Sequence, residues 1–289
     1  MIQQIIPQRR RDLGGFEVGR VLPHPRQRMV GPFVFLDEMG PVDFPAGLER
    51  KVDVRPHPHI GLSTLTYLFA GEITHRDSLG SLQVIRPGEV NWMTAGRSIT
   101  HSERFERARR EGLHLHGLQA WVALPEVDEE CAPAFSHHAA SELPSGAGDG
   151  LHWRLVAGSV GDLRAGVPVR SQLFYLHWEL TAGATVELPE GLGERAVYVL
   201  RGALHCAGTR IEAGQLAVLS EHDVARFQAE GPVLAVAIGG VPLGPRFIDW
   251  NFVSSRQERI EQAREDWRQG RFPLPPQDRD EWIPLPEAG

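Results

Sequence analysis

The sequence predicts an all-β protein built from two tandem antiparallel barrels, and three observations predict it. Short runs rich in β-branched and aromatic residues, among them STLTYLF, LQVIR, LQAWVAL, QLFYLHWEL, AVYVLRG and LAVAIGG, recur along the chain. Turn signals separate such runs, as at Ala70-Gly71-Glu72, Arg86-Pro87-Gly88 and Glu212-Ala213-Gly214, so strand follows strand without alternating helices. The strand, Gly turn, strand rhythm of YLFAGEITHRDSLGSLQVIRPGEVNWMT then returns in AVYVLRGALHCAGTRIEAGQLAVLS, which points to a duplicated barrel.

Taken in order, residues 1–125 are expected to form the first barrel, which carries the candidate metal ligands. Residues 126–150 turn acidic and Ala/Ser/Gly-rich without a sustained period and are expected to be an irregular connection. Residues 151–289 are expected to form the second barrel. Near the end, SSRQERIEQAREDWRQG combines a Ser cap, helix formers and a closing Gly, and predicts a short amphipathic helix packed on a barrel.

Composition narrows the function classes. A chain of 289 residues with 42% hydrophobic residues can fill a core, which excludes wholesale disorder. Thirty basic against 37 acidic residues give a net charge of −7, so no direct nucleic-acid binding is expected. No apolar stretch approaches the roughly 20 residues that span a bilayer, and the start MIQQIIPQRRRDLGG places charges after apolar residues, the reverse of a secretory signal. A cytoplasmic, monomeric protein is expected. Cys131 and Cys206 form no CxxC pair, which leaves metal chemistry to the 13 histidines.

Two stretches carry the candidate chemistry: Arg55-Pro56-His57-Pro58-His59-Ile60-Gly61 and Ser98-Ile99-Thr100-His101-Ser102-Glu103. Side chains alternate across a strand, so His57 and His59 share a face if that segment is extended, and Pro58 favours extension there. His101 and Glu103 share a face for the same reason. If the two strands face one another, three neutral imidazoles and one carboxylate converge and leave one or two positions open on Fe(II), Mn(II), Ni(II) or Cu(II). The weaker pair His114-Leu-His116 reads as structural, His137-His138 as solvated, and His75, His177 and His205 as lone histidines. Trp92, Met93, Phe105 and Trp121 read as core aromatics and apolar residues near the ligand strands.

HPHIGLSTLTYLFAGEITHRDSLGS, IRPGEVNWMTAGRSITHSERF and LHGLQAWVALP resemble the signature of the pirin family within the cupin superfamily. The resemblance extends to GGFEVGRVLPHPRQRMVGPFVFLDEMGP near the start and GPRFIDWNFVSSRQERIEQAREDWRQGRFPLP near the end. It implies a bicupin whose N-terminal barrel holds one metal, usually iron, through His57, His59, His101 and Glu103. Two departures stand out. The general cupin motif has a glutamate just after its H-x-H, where this chain has Leu62, Ser63 and Thr64, and many pirins carry a glutamate at the position of Ser63. The second barrel has no H-x-H, so no metal is expected there.

What the resemblance implies about function is a metal-dependent dioxygenase that cleaves a flavonol such as quercetin with O₂. In that chemistry Glu103 would accept the proton of the flavonol 3-hydroxyl. Other members are transcriptional co-regulators whose iron state controls partner binding. Such an iron-dependent regulatory protein, with Arg9-Arg10-Arg11, Arg107 and Arg109-Arg110 as its docking surface, is the alternative reading. An enzyme acting on another metal-bound small molecule is a third.

Overall fold

Why the breaks in the sequence become turns is visible at Gly61, which sits at a φ of +67° between two strands. A Cβ there would lie 2.0 Å from the Val253 carbonyl oxygen, so only glycine lets that backbone pass. The computed structural model describes residues 1–12 and 17–286; residues 13–16, where the GGFEVGR stretch begins, and 287–289 lie outside the described residues.

The first barrel is built from β1 (Phe33–Phe44), β2 (Val54–His59), β3 (Leu62–Ala70), β4 (Ile73–Asp77), β5 (Leu82–Ile85), β6 (Val90–Thr94), β7 (Ile99–Arg104) and β8 (Leu113–Ala123). Its sheets run β2-β7-β4-β5 and β6-β3-β8-β1. The second barrel uses β9 (Leu173–Leu180), β10 (Thr185–Leu188), β11 (Glu194–Arg201), β12 (Ala203–Cys206), β13 (Thr209–Glu212), β14 (Gln215–Leu219), β15 (Ala225–Ala229) and β16 (Val233–Gly240). Its sheets run β10-β15-β12-β13 and β14-β11-β16-β9, the first pattern with every label raised by eight. The chain is therefore mostly β and internally duplicated, as its strand rhythm predicts.

Two compact units emerge, one of Met1–Arg11, Gly19–Glu38 and His138–Leu243, the other of Asp12–Val18, Met39–His137 and Gly244–Gly289. The ends of the chain are thus interleaved, whereas the sequence suggests consecutive halves of 1–125 and 151–289. Strand pairing supplies the reason at one end, because Ile2–Pro7 lies antiparallel to β14 of the second barrel. At the other end, helix α1 (Gln257–Arg268) packs Ile260, Ala263 and Trp267 against Ile60 and Phe252 of the first barrel's unit. The expected Ser cap is displaced by one step. Arg256 occupies the N-cap, and the Ser254 hydroxyl accepts its backbone N–H at 3.1 Å.

Residues 126–150 are more ordered than their composition suggests. Ala134–His138 is a strand beside β6, and Ser145–Gly148 pairs with the strand Leu151–Val160. Among the described residues no helix is long and apolar enough to cross a membrane.

Candidate metal centre

β2 and β7 are neighbours in one sheet, antiparallel, with His57 directly opposite His101 and His59 opposite Ile99. Both prolines of β2 lie within extended backbone, and the alternation that follows puts the His57 and His59 rings side by side, 5.0 Å between centroids. The His101 ring lies 4.4 Å from that of His57 and 5.0 Å from that of His59. All three residues are buried, and each offers a ring nitrogen within 4.8 Å of the others.

The outward nitrogens explain how the rings are aimed. His57 Nδ1 is 2.9 Å from the Arg55 carbonyl oxygen and His59 Nδ1 is 3.1 Å from that of Asn251. A carbonyl only accepts, so both Nδ1 atoms carry the proton and both Nε2 lone pairs turn inward. His59 Nε2 and His101 Nε2 stand 3.1 Å apart. Two nitrogens bound at right angles to one ion, each about 2.1 Å from it, would be about 3 Å apart, so the spacing suits a shared metal. Burial lowers the His57 pKa to about 4, with the Arg55 carbonyl opposing, and takes His59 and His101 well below the ordinary value. The rings are neutral, which is the form that binds metals.

Glu103 lies two residues beyond His101 on β7, past a bulge, and its carboxylate falls outside the 4.8 Å set formed by the histidines. Burial raises its carboxyl to about 7, opposed by a long contact of 3.5 Å from the Thr66 hydroxyl. That hydroxyl makes a shorter bond, 2.9 Å, to Gln119 Oε1. A buried carboxyl with so little hydrogen bonding is a group that a cation would stabilise.

Behind His101 stands His75, which the sequence leaves as a lone histidine, and which is buried. His75 Nδ1 lies 3.4 Å from His101 Nδ1, and its Nε2 lies 3.0 Å from Asp77 Oδ2. Phe135 stacks on the His75 ring at 4.4 Å and 12°. The signal that could have found it is the H-x-D pair His75-Arg-Asp77, read by the same alternation that selects H-x-H. Burial would raise the Asp77 carboxyl, but hydrogen bonds from His75 and the Ser81 backbone outweigh it and hold the group below the ordinary range.

The remaining candidates lie elsewhere. Exposed His114 pairs with Asp43, whereas His116 is buried against the Phe69 ring. His137 is not solvated; the strand Ala134–His138 brings its Nδ1 to 2.8 Å from Asn91 Oδ1. His177 is buried, with its pKa lowered to about 3 by that burial, and His205 contacts Glu230 at 3.2 Å. Ser63 faces away from Thr66 and bonds Thr94 at 3.0 Å, so its replacement of a glutamate falls on the face opposite Glu103's contact. Trp92 and Phe105 are core, but Trp121 meets His59 edge to face at 5.1 Å. The arginines Arg107 and Arg109 are tied to Glu111 and Asp53 within the chain.

The duplicated topology allows a position-by-position comparison. β15 opens with Ala225 opposite Leu188, the last residue of β10, just as β7 opens with Ile99 opposite His59, the last residue of β2. Counted from there, the places of His57, His59, His101 and Glu103 are taken by Val186, Leu188, Phe227 and Ala229, all buried and without donor atoms.

Fold and site together define a class, the double-barrel cupin proteins with one buried histidine cluster in the first barrel. Residues 15–122 match the Pirin family and residues 175–273 the Pirin C-terminal cupin domain, and the chain belongs to the pirin family. It is 55% identical over 288 residues to a pirin-like protein of Caulobacter vibrioides, an alignment covering 99% of this chain and 100% of the relative. A Pseudomonas aeruginosa protein provisionally named quercetin 2,3-dioxygenase is 36% identical, over 89% of this chain and 80% of its own. Among solved structures, a quercetin 2,3-dioxygenase from Acinetobacter baumannii superimposes with a TM-score of 0.91 at 33% identity, covering 99% of this chain and 95% of that one. A bacterial pirin from Escherichia coli in complex with nickel(II) shares the fold at a TM-score of 0.66 and 18% identity, over 84% of this chain and 100% of its own.

Proposed function

We propose that the protein is a metal-dependent dioxygenase that cleaves a flavonol such as quercetin with O₂, using one ion held by His57, His59, His101 and Glu103. The observation that carries this reading is the convergence of three buried neutral imidazoles within 4.8 Å. The names of the Pseudomonas and Acinetobacter relatives support the substrate class.

Iron(II) is the metal of choice, with nickel, manganese and copper admitted by the same donors, and the bound ion would supply open positions for a flavonol oxygen and O₂. The chain's own residues do the rest. His57 and His59 keep their Nε2 lone pairs inward through the bonds their Nδ1 atoms make to backbone carbonyls. Glu103, two residues beyond His101 on the same strand, accepts the 3-hydroxyl proton on a carboxylate oxygen. Trp121, buried and edge-on to His59, walls the site with an apolar surface.

Elemental analysis, with O₂ uptake in the presence of quercetin, tests the proposal. Near-stoichiometric metal and quercetin-dependent uptake are expected. Stoichiometric metal without uptake or loss of quercetin's visible band would refute the flavonol reaction and favour the iron-dependent regulatory reading.

A further inference from the structure

Three bonds orient the three histidine rings, and the third differs in kind from the other two. For His57 and His59 the partner is a backbone carbonyl, which can only accept. For His101 the partner is another imidazole, His75 Nδ1, which could equally donate or accept. Were His75 to donate, His101 Nδ1 would have to be the acceptor, the neutral His101 ring would carry its proton on Nε2, and that nitrogen would be closed to a metal.

Asp77 removes the ambiguity. Its Oδ2 lies 3.0 Å from His75 Nε2, and a carboxylate accepts, so in the neutral His75 ring Nε2 holds the one proton and Nδ1 is left bare. The carboxylate is itself pinned, because its Oδ1 accepts the backbone N–H groups of Leu79 at 2.9 Å and Ser81 at 3.1 Å. Backbone register puts these side chains on one face, His101 opposite Asp77 and Glu103 opposite His75, so His75 reaches His101 on the diagonal. Phe135, stacked on His75, holds the plane of the ring. In the second barrel the place of His75, opposite Ala229, is taken by Leu204, so the relay and the ligands are missing together.

We propose that His75 is a positioning residue: held by Asp77, it accepts the Nδ1–H of His101 and so keeps His101 Nε2 bare and directed at the metal. The inference rests on the reading of the three histidines as a metal site and adds to it a fifth residue that the ion does not touch. Partners of this kind orient a ligand and raise its basicity, and their loss typically weakens metal binding about 10- to 100-fold.

The test uses zinc(II) as a diamagnetic probe. Long-range ¹H–¹⁵N spectra of the zinc-loaded wild type, with ring signals assigned from single-histidine variants, read each tautomer. The expected result is His75 protonated on Nε2 and bare on Nδ1; a His75 protonated on Nδ1 would overturn the proposal. Zinc titration against a competing chelator should give about 10- to 100-fold weaker binding for His75→Phe, with part of the loss restored in His75→Gln, whose amide oxygen can accept the same N–H. Wild-type affinity in both variants would overturn it as well. A wild type that binds no zinc would instead overturn the metal reading, and this inference with it.

Discussion

Arg104 and Asp278, 174 residues apart in sequence, are joined by two hydrogen bonds, Nε to Oδ2 at 2.6 Å and Nη2 to Oδ1 at 2.7 Å. The Ser102 hydroxyl donates to the same carboxylate at 2.6 Å. Ser102 and Arg104 alternate along β7 with His101 and Glu103, so the C-terminal segment grips the reverse face of the strand that carries two candidate ligands.

Asp278→Ala leaves the buried Arg104 guanidinium with Glu281 at 3.1 Å and Asp53 at 3.5 Å. Breaking a buried pair costs about 3–5 kcal/mol, and the two remaining carboxylates place this variant near the lower end. Urea unfolding should show a lowered midpoint with an unchanged slope. A loss below about 1 kcal/mol would mean that Asp53 and Glu281 suffice.

Metal content separates ligands from bystanders. His101→Ala should purify with little or no metal, because two imidazoles and a carboxyl without the central ring do not close the site. His114→Ala, a change at an exposed residue paired with Asp43, should retain full occupancy by elemental analysis.

Glu103 gives a pH signature in the metal-free protein. Its carboxyl is raised by burial from 4.5 to about 7 in the folded chain, so its favourable contribution is complete below about pH 4.5 and is lost as pH rises through about 7. Glu103→Gln stays neutral throughout. The variant and the wild type should be matched near pH 4.5, and the variant should be more stable by up to about 3 kcal/mol at pH 8, at roughly 1.4 kcal/mol for each tenfold change in proton affinity between the folded and unfolded chains. Unfolding curves at the two pH values check both sign and plateau.

Gly61→Ala should be costly for two reasons that add: a positive φ and a Cβ lodged against the Val253 carbonyl. We expect a loss of about 2 kcal/mol or more, with reduced metal occupancy because Gly61 sits two residues from His59. Stability and occupancy equal to wild type would show that the strand Phe252–Ser254 can move aside.

Much of this was legible because strand alternation is a short-range rule. It selected His57, His59, His101 and Glu103 from spacing, of which the three histidines converge within 4.8 Å, and the repeated turn rhythm foretold two barrels whose sheets share one strand order. What escaped was long-range. Nothing near Ile2–Pro7 says that it pairs with residues 215–219, and nothing in the helix says that Trp267 packs near Phe252. His75 was missed for a different reason, since its partner Asp77 is local but its meaning depends on His101, 26 residues away across the sheet. Acidic, Ala-rich residues 126–150 concealed a strand because the Ala134–His138 edge is only partly buried and carries no apolar alternation.

The four apolar residues Val186, Leu188, Phe227 and Ala229 give the chain its own reference for what the first barrel does without. Burying a Val, Leu or Phe side chain contributes about 1.5–3 kcal/mol, whereas histidines and a carboxyl at the matching places bring desolvation costs. On the metal-centre reading, the ion makes up the difference by mass action, as RT ln(1 + [metal]/Kd). Metal supply would then be felt at the barrel that lacks these apolar side chains, and the metal-loaded chain should withstand a higher denaturant concentration than the metal-free one.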